Sequence, residues 1–138
     1  MGMNIEIDVK DYTDKYLNRM KSKINVFLDE SKSLVASQAS VNSPVDTGAL
    51  SRSFLTDSFV DSSEQVAYIG SSLDYAIYQE YGTGEYALNG NGRKGGWAYR
   101  GKDGKRHFTF GSHPHRMLYN AVNSCRSSIQ SRFKQIME

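Results

Sequence analysis

Three histidines, His107, His113 and His115, stand within nine residues, and imidazole is a common zinc ligand. With an Asp or Glu as a further ligand they could hold a metal and activate water for hydrolysis. Two of them flank Pro114 in a turn that leads into a helix, where imidazoles more often meet solvent or cap. The single cysteine, Cys125, falls on an apolar helical stripe and reads as a small buried hydrophobe rather than a nucleophile. The 18 serines include no Gly-x-Ser-x-Gly elbow. Gly90-Asn91-Gly92-Arg93-Lys94-Gly95-Gly96 has the composition of a phosphate-cradling loop, but it lacks the Gly-Lys-Ser/Thr ending and no helix follows it. The sequence therefore assigns no catalytic, cofactor or metal site, and the chain reads as a non-enzyme without a cofactor.

Charge offers a stronger signal. Residues 1–81 carry 7 Lys/Arg against 12 Asp/Glu, whereas residues 82–116 carry 7 against 2. The overall +2 thus hides an acidic first half and a basic segment. Arg93, Lys94, Trp97, Arg100 and Lys102 are the candidate interaction residues, for an acidic neighbour or for nucleic acid. Aromatic residues Trp97, Tyr99, His107, Phe108 and Phe110 interleave with these cations, a pattern in which rings stack on bases and cations neutralise phosphates. A nucleic-acid-binding protein using the basic hairpin 93–106 is accordingly the rival reading. If identical subunits stack, one copy's basic segment meets the next copy's acidic face.

These residues need a scaffold, and 138 residues make one domain's worth of chain. Leu, Ile, Val and Phe number 29, about a fifth of the chain, so the core is thin and gains from neighbours. No apolar run approaches the ~18–20 residues of a membrane span, and the first ten residues do not form an apolar export signal. One cysteine excludes an intrachain disulfide and fits a reducing compartment.

Ile5, Ile7 and Val9 alternate with acids as a half-buried strand does. Asp11 follows as a helix cap, and Tyr16, Leu17, Met20, Ile24, Phe27, Leu28, Leu34, Val35 and Ala39 keep helical spacing up to Pro44. Such a helix is long for a small domain, so part of it packs on another subunit or it breaks near Ser31. Asp46–Leu50 reads as a cap and a short helical turn. Two short strands, 53–61 and 65–71, surround the turn Ser62-Ser63-Glu64, with Val66, Tyr68 and Gly70 on one face and Ala67 and Ile69 on the other. Asp74 would cap a short helix, Tyr75–Tyr81, whose tyrosines 75, 78 and 81 form one ridge that packs on the sheet or stacks on a ligand. Nine of the 12 glycines lie between Gly82 and Gly111, and composition predicts that Gly84–Gly96 is mobile unless a partner orders it. Within the region from Gly82 to Gly111, Trp97–Arg100 and Lys105–Phe110 flank Gly101-Lys102-Asp103-Gly104 as a β-hairpin. A last helix, about Met117–Met137, buries Leu118, Ala121, Val122, Cys125, Ile129, Phe133 and Ile136.

Pro44-Val45-Asp46-Thr47-Gly48-Ala49-Leu50-Ser51-Arg52-Ser53 resembles the "PVDTG-x-L-x-x-S" box of a family of tail components of long-tailed, non-contractile phages. The namesake of that family is the tenth gene product of an HK-type lambdoid phage. Ile69-Gly70-Ser71 and Tyr75-Ala76-Ile77-Tyr78-Gln79-Glu80-Tyr81-Gly82-Thr83-Gly84 resemble its second box, "GS…YA-x-YQE-x-GT". Gly92–Trp97 and the hairpin resemble an insertion in members from Gram-positive phages. His113–Ala121 resembles the family's "PFLRPAL" segment, with His115 in place of the Phe and Asn120 in place of the second proline.

The resemblance, over about residues 4–138, implies an α+β fold: a long N-terminal helix and a C-terminal helix packed on a small antiparallel sheet, with a Gly-rich inserted hairpin. One tail-component domain would span 1–138, with 84–111 as the insertion. Asp46, Thr47, Gly48, Tyr75, Tyr78, Gln79, Glu80, Gly82 and Thr83 are its motif residues. Glu80 lies at a helix C-terminus, where the dipole disfavours a negative charge, so it needs a backbone N–H or cationic partner, with Arg52 or Arg116 as candidates. The implied function is that of a minor tail or tail-completion component at the head–tail junction of a phage or prophage. It would be made in the bacterial host cytoplasm and located in the virion. Its implied partners are its own copies in a hexameric ring, head-closure or connector proteins, and a tail terminator or tail tube protein. DNA in the lumen is a second client of the basic segment, and no membrane is involved.

Overall fold

The computed structural model describes Met3 and residues 9–44, 48–60 and 64–138. The first helix, α1, runs Val9–Asn42. Its 34 residues contain neither glycine nor proline, so nothing interrupts it at Ser31, and at 1.5 Å per residue it spans roughly 51 Å. Val9 begins this helix rather than ending a strand, and Asp11 stands inside it rather than at its cap. Ile5 and Ile7, the remainder of the expected strand, lie outside the described residues. The helix stops two residues before Pro44, and the Ser43 hydroxyl donates to the carbonyl of Ala39 at 2.7 Å.

Strands β1 (Phe54–Val60) and β2 (Gln65–Ser71) pair antiparallel, Phe54 opposite Ser71 and Val60 opposite Gln65. Their connection includes residues 61–63, which lie outside the described residues, as do Val45, Asp46 and Thr47. The short helix α2 (Ala76–Tyr81) leads to a single 3-10 turn at Gly84–Tyr86. Strands β3 (Trp97–Arg100) and β4 (Arg106–Thr109) pair antiparallel as a separate ribbon. Helix α3 (Met117–Met137) closes the chain. The protein is α+β, with the two long helices that the resemblance implied and two small antiparallel sheets.

Helices α1 and α3 run antiparallel. Along the pair, Asn42 Nδ2 donates to the Met117 carbonyl, Phe27 meets Phe133 edge-on at 5.1 Å, and Lys23 Nζ reaches the Glu138 carbonyl at 3.2 Å. The first turns of α1 therefore extend past the end of α3, and Tyr16 and Leu17 are exposed there.

One core cluster joins Val35 and Ala39 to Ala121 and Cys125, with Phe54, Ile69, Leu118 and Ile129 packed against it. Ala39 and Ala121 have no exposed surface, and their size lets the helices approach closely. A second cluster, Leu50, Ala76 and Met117, shares Phe54 with the first. Cys125 is buried, as its stripe position requires. Leu34, Val122 and Phe133, expected in the core, are exposed by 41% or more, because the helices cover only a narrow strip of each other and the small sheet packs mainly on α1.

Candidate functional site

Helix α2 organises the residues of the second box. Its buried side chains are Ala76 and Glu80, one helical turn apart, and both face the start of α3. Tyr75, Tyr78 and Tyr81 are 44–58% exposed, so the tyrosine ridge points away from the core instead of onto the sheet. A ridge spaced at i, i+3, i+6 and a pair spaced at i, i+4 are both helical faces. The carboxylate's need for helix N–H donors decides which one turns inward. Asp74 does not cap α2: the N-cap is Tyr75, without a side-chain hydrogen bond.

Glu80 is 6% exposed. Its Oε2 accepts the backbone N–H of Leu118 at 2.9 Å, and its Oε1 accepts that of Tyr119 at 3.1 Å. The partner is thus the open N-terminus of α3, and neither Arg52 nor Arg116 supplies it. Arg116 takes the left-handed conformation, φ 53°, and its guanidinium lies over the rings of Tyr119 and Tyr81, 4.2 and 5.5 Å from their centroids. The Arg52 guanidinium lies against Gly48.

The chain on either side of this cap is zipped together. His115 N–H donates to the Gln79 carbonyl at 2.8 Å and Thr83 N–H to the Ser112 carbonyl at 2.9 Å, while Thr83 Oγ1 accepts from Ser112 N–H. Gly82 has φ +80°, and a side chain there would meet the Ser112 carbonyl oxygen at 2.8 Å and Pro114 at 3.0 Å. The glycine permits both the left-handed turn and the close approach. Gln79, Glu80, Gly82 and Thr83 therefore share one task, holding 79–83 against 112–119.

Two clefts flank α2. Gly48 of the first box and Tyr75 and Gln79 of the second open onto one of them, together with Lys102 and His115. Asp46 and Thr47 lie outside the described residues. On the other side, Ile77, Tyr78, Tyr81 and Trp97 line a cleft of about 330 Å³ with Arg93 at its edge. The Arg93 guanidinium lies 5.5 Å from the centre of the Trp97 ring. The glycine- and asparagine-rich stretch beside this cleft is hydrogen-bonded to the chain around it. Glu85 N–H donates to the Phe110 carbonyl, Leu88 N–H to the Tyr81 carbonyl, and Gly95 N–H to Glu85 Oε1. Composition could not register these bonds, because their acceptors lie mostly outside the stretch.

On the β3–β4 ribbon, Tyr99 stacks on His107 at 5.4 Å, and Arg100 stands directly opposite Arg106. Lys94 is exposed. Two of the three histidines are engaged separately, and His115 lines the first cleft. His107 Nε2 meets both oxygens of the Asp103 carboxylate at 3.0 and 3.1 Å, and His113 packs on Tyr86 at 3.9 Å. Among the described residues no three metal-ligating side chains converge. The His107 hydrogen bond, helped by the Lys105 backbone N–H, holds the Asp103 carboxyl below its usual range. The sequence reading missed Ile77 as a lining residue, since it followed only the tyrosines of α2.

The family model described as "Bacteriophage HK97-gp10, putative tail-component" matches residues 7–82, more than half of the chain. The chain belongs to this family of phage tail components, and it is a structural tail protein of a phage. The matched range holds both boxes up to Gly82, while the Gly92–Trp97 and His113–Ala121 stretches lie beyond it. No curated protein and no solved structure matches the chain. Among the described residues no helix is long and apolar enough to cross a membrane.

Proposed function

We propose that this tail component works at the head–tail junction as a minor tail or tail-completion protein, by assembling into a ring and making or breaking no bond. The carrying observation is the imbalance between core and surface. Only eight hydrophobic residues are buried among those described, and Met117 is the one large side chain with almost no exposure. Leu55, Phe59, Tyr68, Ile77, Tyr78 and Leu88 are each more than half exposed. Apolar surface of this extent on a small chain is what neighbouring subunits cover. Residues 1–138 act as one tail-component unit, sixfold like the tail itself. Their partners are head-closure or connector proteins on one side and a tail terminator or tube protein on the other.

The test is native mass and negative-stain imaging of the chain alone and with its neighbouring gene products. Closed rings are expected at least in the mixture. A chain that stays monomeric in every mixture overturns the reading.

One observation favours contact with DNA as well. Arg100 and Arg106 face each other across the ribbon, and like charges directly opposite are destabilising unless an anion lies between them. The hairpin 93–106 would bring these cations to DNA in the lumen. Binding of short DNA that falls steeply with salt is expected, with a shallower slope in the Arg100→Gln/Arg106→Gln variant. No binding at low salt removes this second role.

A further inference from the structure

Two surfaces of this chain are complementary to each other. The first is the outward face of β1–β2. Phe54 and Ile69 on the inward face enter the core, while Leu55, Phe59 and Tyr68 on the outward face are 63%, 52% and 59% exposed. Asp57 shares that face, between Leu55 and Phe59 and opposite Tyr68. This is an apolar surface with a carboxylate at its middle. The second surface is the cleft of Ile77, Tyr78, Tyr81 and Trp97, an apolar hollow with a guanidinium at its edge. Its volume, about 330 Å³, admits one large apolar side chain. Among the described residues no carboxylate pairs with Arg93, whereas Arg132 holds Glu30 and Lys32 holds Asp29.

We infer that these two surfaces meet between neighbouring copies of the chain: Phe59 of one copy enters the Tyr78–Tyr81–Trp97 cleft of the next, and Asp57 pairs with Arg93 there. The spacing supports it. Residues i and i+2 on one face of a strand stand roughly 6.5–7 Å apart. The Arg93 guanidinium lies over the Trp97 ring, 5.5 Å from its centre, so cation and hollow adjoin as Asp57 and Phe59 do. Because the two patches differ, the contact is heterologous, and repetition of a heterologous contact closes into a ring when its rotation allows. The inference rests on the ring reading and names the surfaces that would build it.

The experiment measures self-association of the full chain by sedimentation, with circular dichroism to confirm folding. Trp97 is the only tryptophan, so its emission reports directly on the cleft. Asp57→Arg and Arg93→Asp, each alone, should weaken association about tenfold or more and abolish the concentration-dependent change in Trp97 emission. The Asp57→Arg/Arg93→Asp double variant should regain both, because the pair is restored with its charges exchanged. Phe59→Ala should weaken association without recovery in the exchanged background. Single variants that associate like the wild-type chain overturn the contact and leave the ring standing. A double variant no better than the worse single one also overturns it. A wild-type chain that stays monomeric, alone and with its tail partners, overturns the ring and the contact together.

Discussion

Glu80 caps α3 from another helix: its two carboxylate oxygens take the N–H groups of Leu118 and Tyr119 at 2.9 and 3.1 Å. Nothing local does this work, since the N-cap Arg116 is left-handed and makes no side-chain cap bond. Helix N-termini leave backbone donors without partners and carry partial positive charge, so a carboxylate satisfies both needs. It also answers the difficulty of an acid at the end of α2, because one helix end neutralises the other. The second box is therefore legible as a clasp between α2 and α3.

Removing that carboxylate should loosen the clasp. Glu80→Ala leaves two amide donors in a nearly buried place, and the expected loss is about 2–3 kcal/mol of stability. Glu80→Gln keeps the shape and one good acceptor, so about 1–2 kcal/mol is expected. Urea denaturation of the three proteins measures both values. Equal stability of Glu80→Ala and wild type would show that the cap carries no weight.

The helices, the strand pairs and the clasp residue were all legible in the sequence, for physical reasons. Stripes such as Val35–Ala39 and Ala121–Cys125 are periodic over many residues, and Glu80 announced itself through an electrostatic conflict. What escaped depended on tertiary competition. Val9 reads equally well as the end of an alternating strand or the start of a helix, and the helix won where no glycine or proline opposed it. Tyr75, Tyr78 and Tyr81 form a face of α2 as apolar as any, yet Ala76 and Glu80 turn inward because only they fit against Met117 and the open end of α3. The tethering of Glu85, Leu88 and Gly95 follows from acceptors mostly beyond the local stretch, which no local composition records.

Gly82 is the second part of the clasp. Gly82→Ala forces a Cβ toward the Ser112 carbonyl at 2.8 Å at a residue held at φ +80°. Strain of this kind costs about 1–3 kcal/mol. The zipper from Gln79 to Thr83 should open locally before the helices part. Hydrogen exchange is the sharper readout: the Thr83 and His115 amides, whose acceptors lie across the clasp, should lose protection in Gly82→Ala. Amides in the middle of α1 should keep theirs. Uniform loss of protection would mean that the clasp and the helix pair unfold as one unit.

Arg132 donates to both oxygens of Glu30, with Nε at 2.6 Å and Nη2 at 3.0 Å, joining α3 to α1 far from the α2 clasp. The side-chain hydrogen bond, followed by the charge of the same guanidinium, holds the Glu30 carboxyl below its ordinary 4.5. A carboxyl depressed in the folded state gives stability that is complete above its unfolded value. That stability is lost as pH falls through the folded value, because the unfolded chain then binds the proton more readily. The pair should thus matter at neutral pH and stop mattering in acid below the ordinary glutamate range. Both side chains are largely exposed, so salt should reduce the effect. Carbon NMR titration of the Glu30 carboxyl tests the sign: its midpoint should lie below that of an unpaired glutamate and return upward in Arg132→Met. The stability difference between wild type and Arg132→Met should narrow as the pH is lowered through that midpoint. An unchanged midpoint in the variant would show that the two charges meet without holding the helices together.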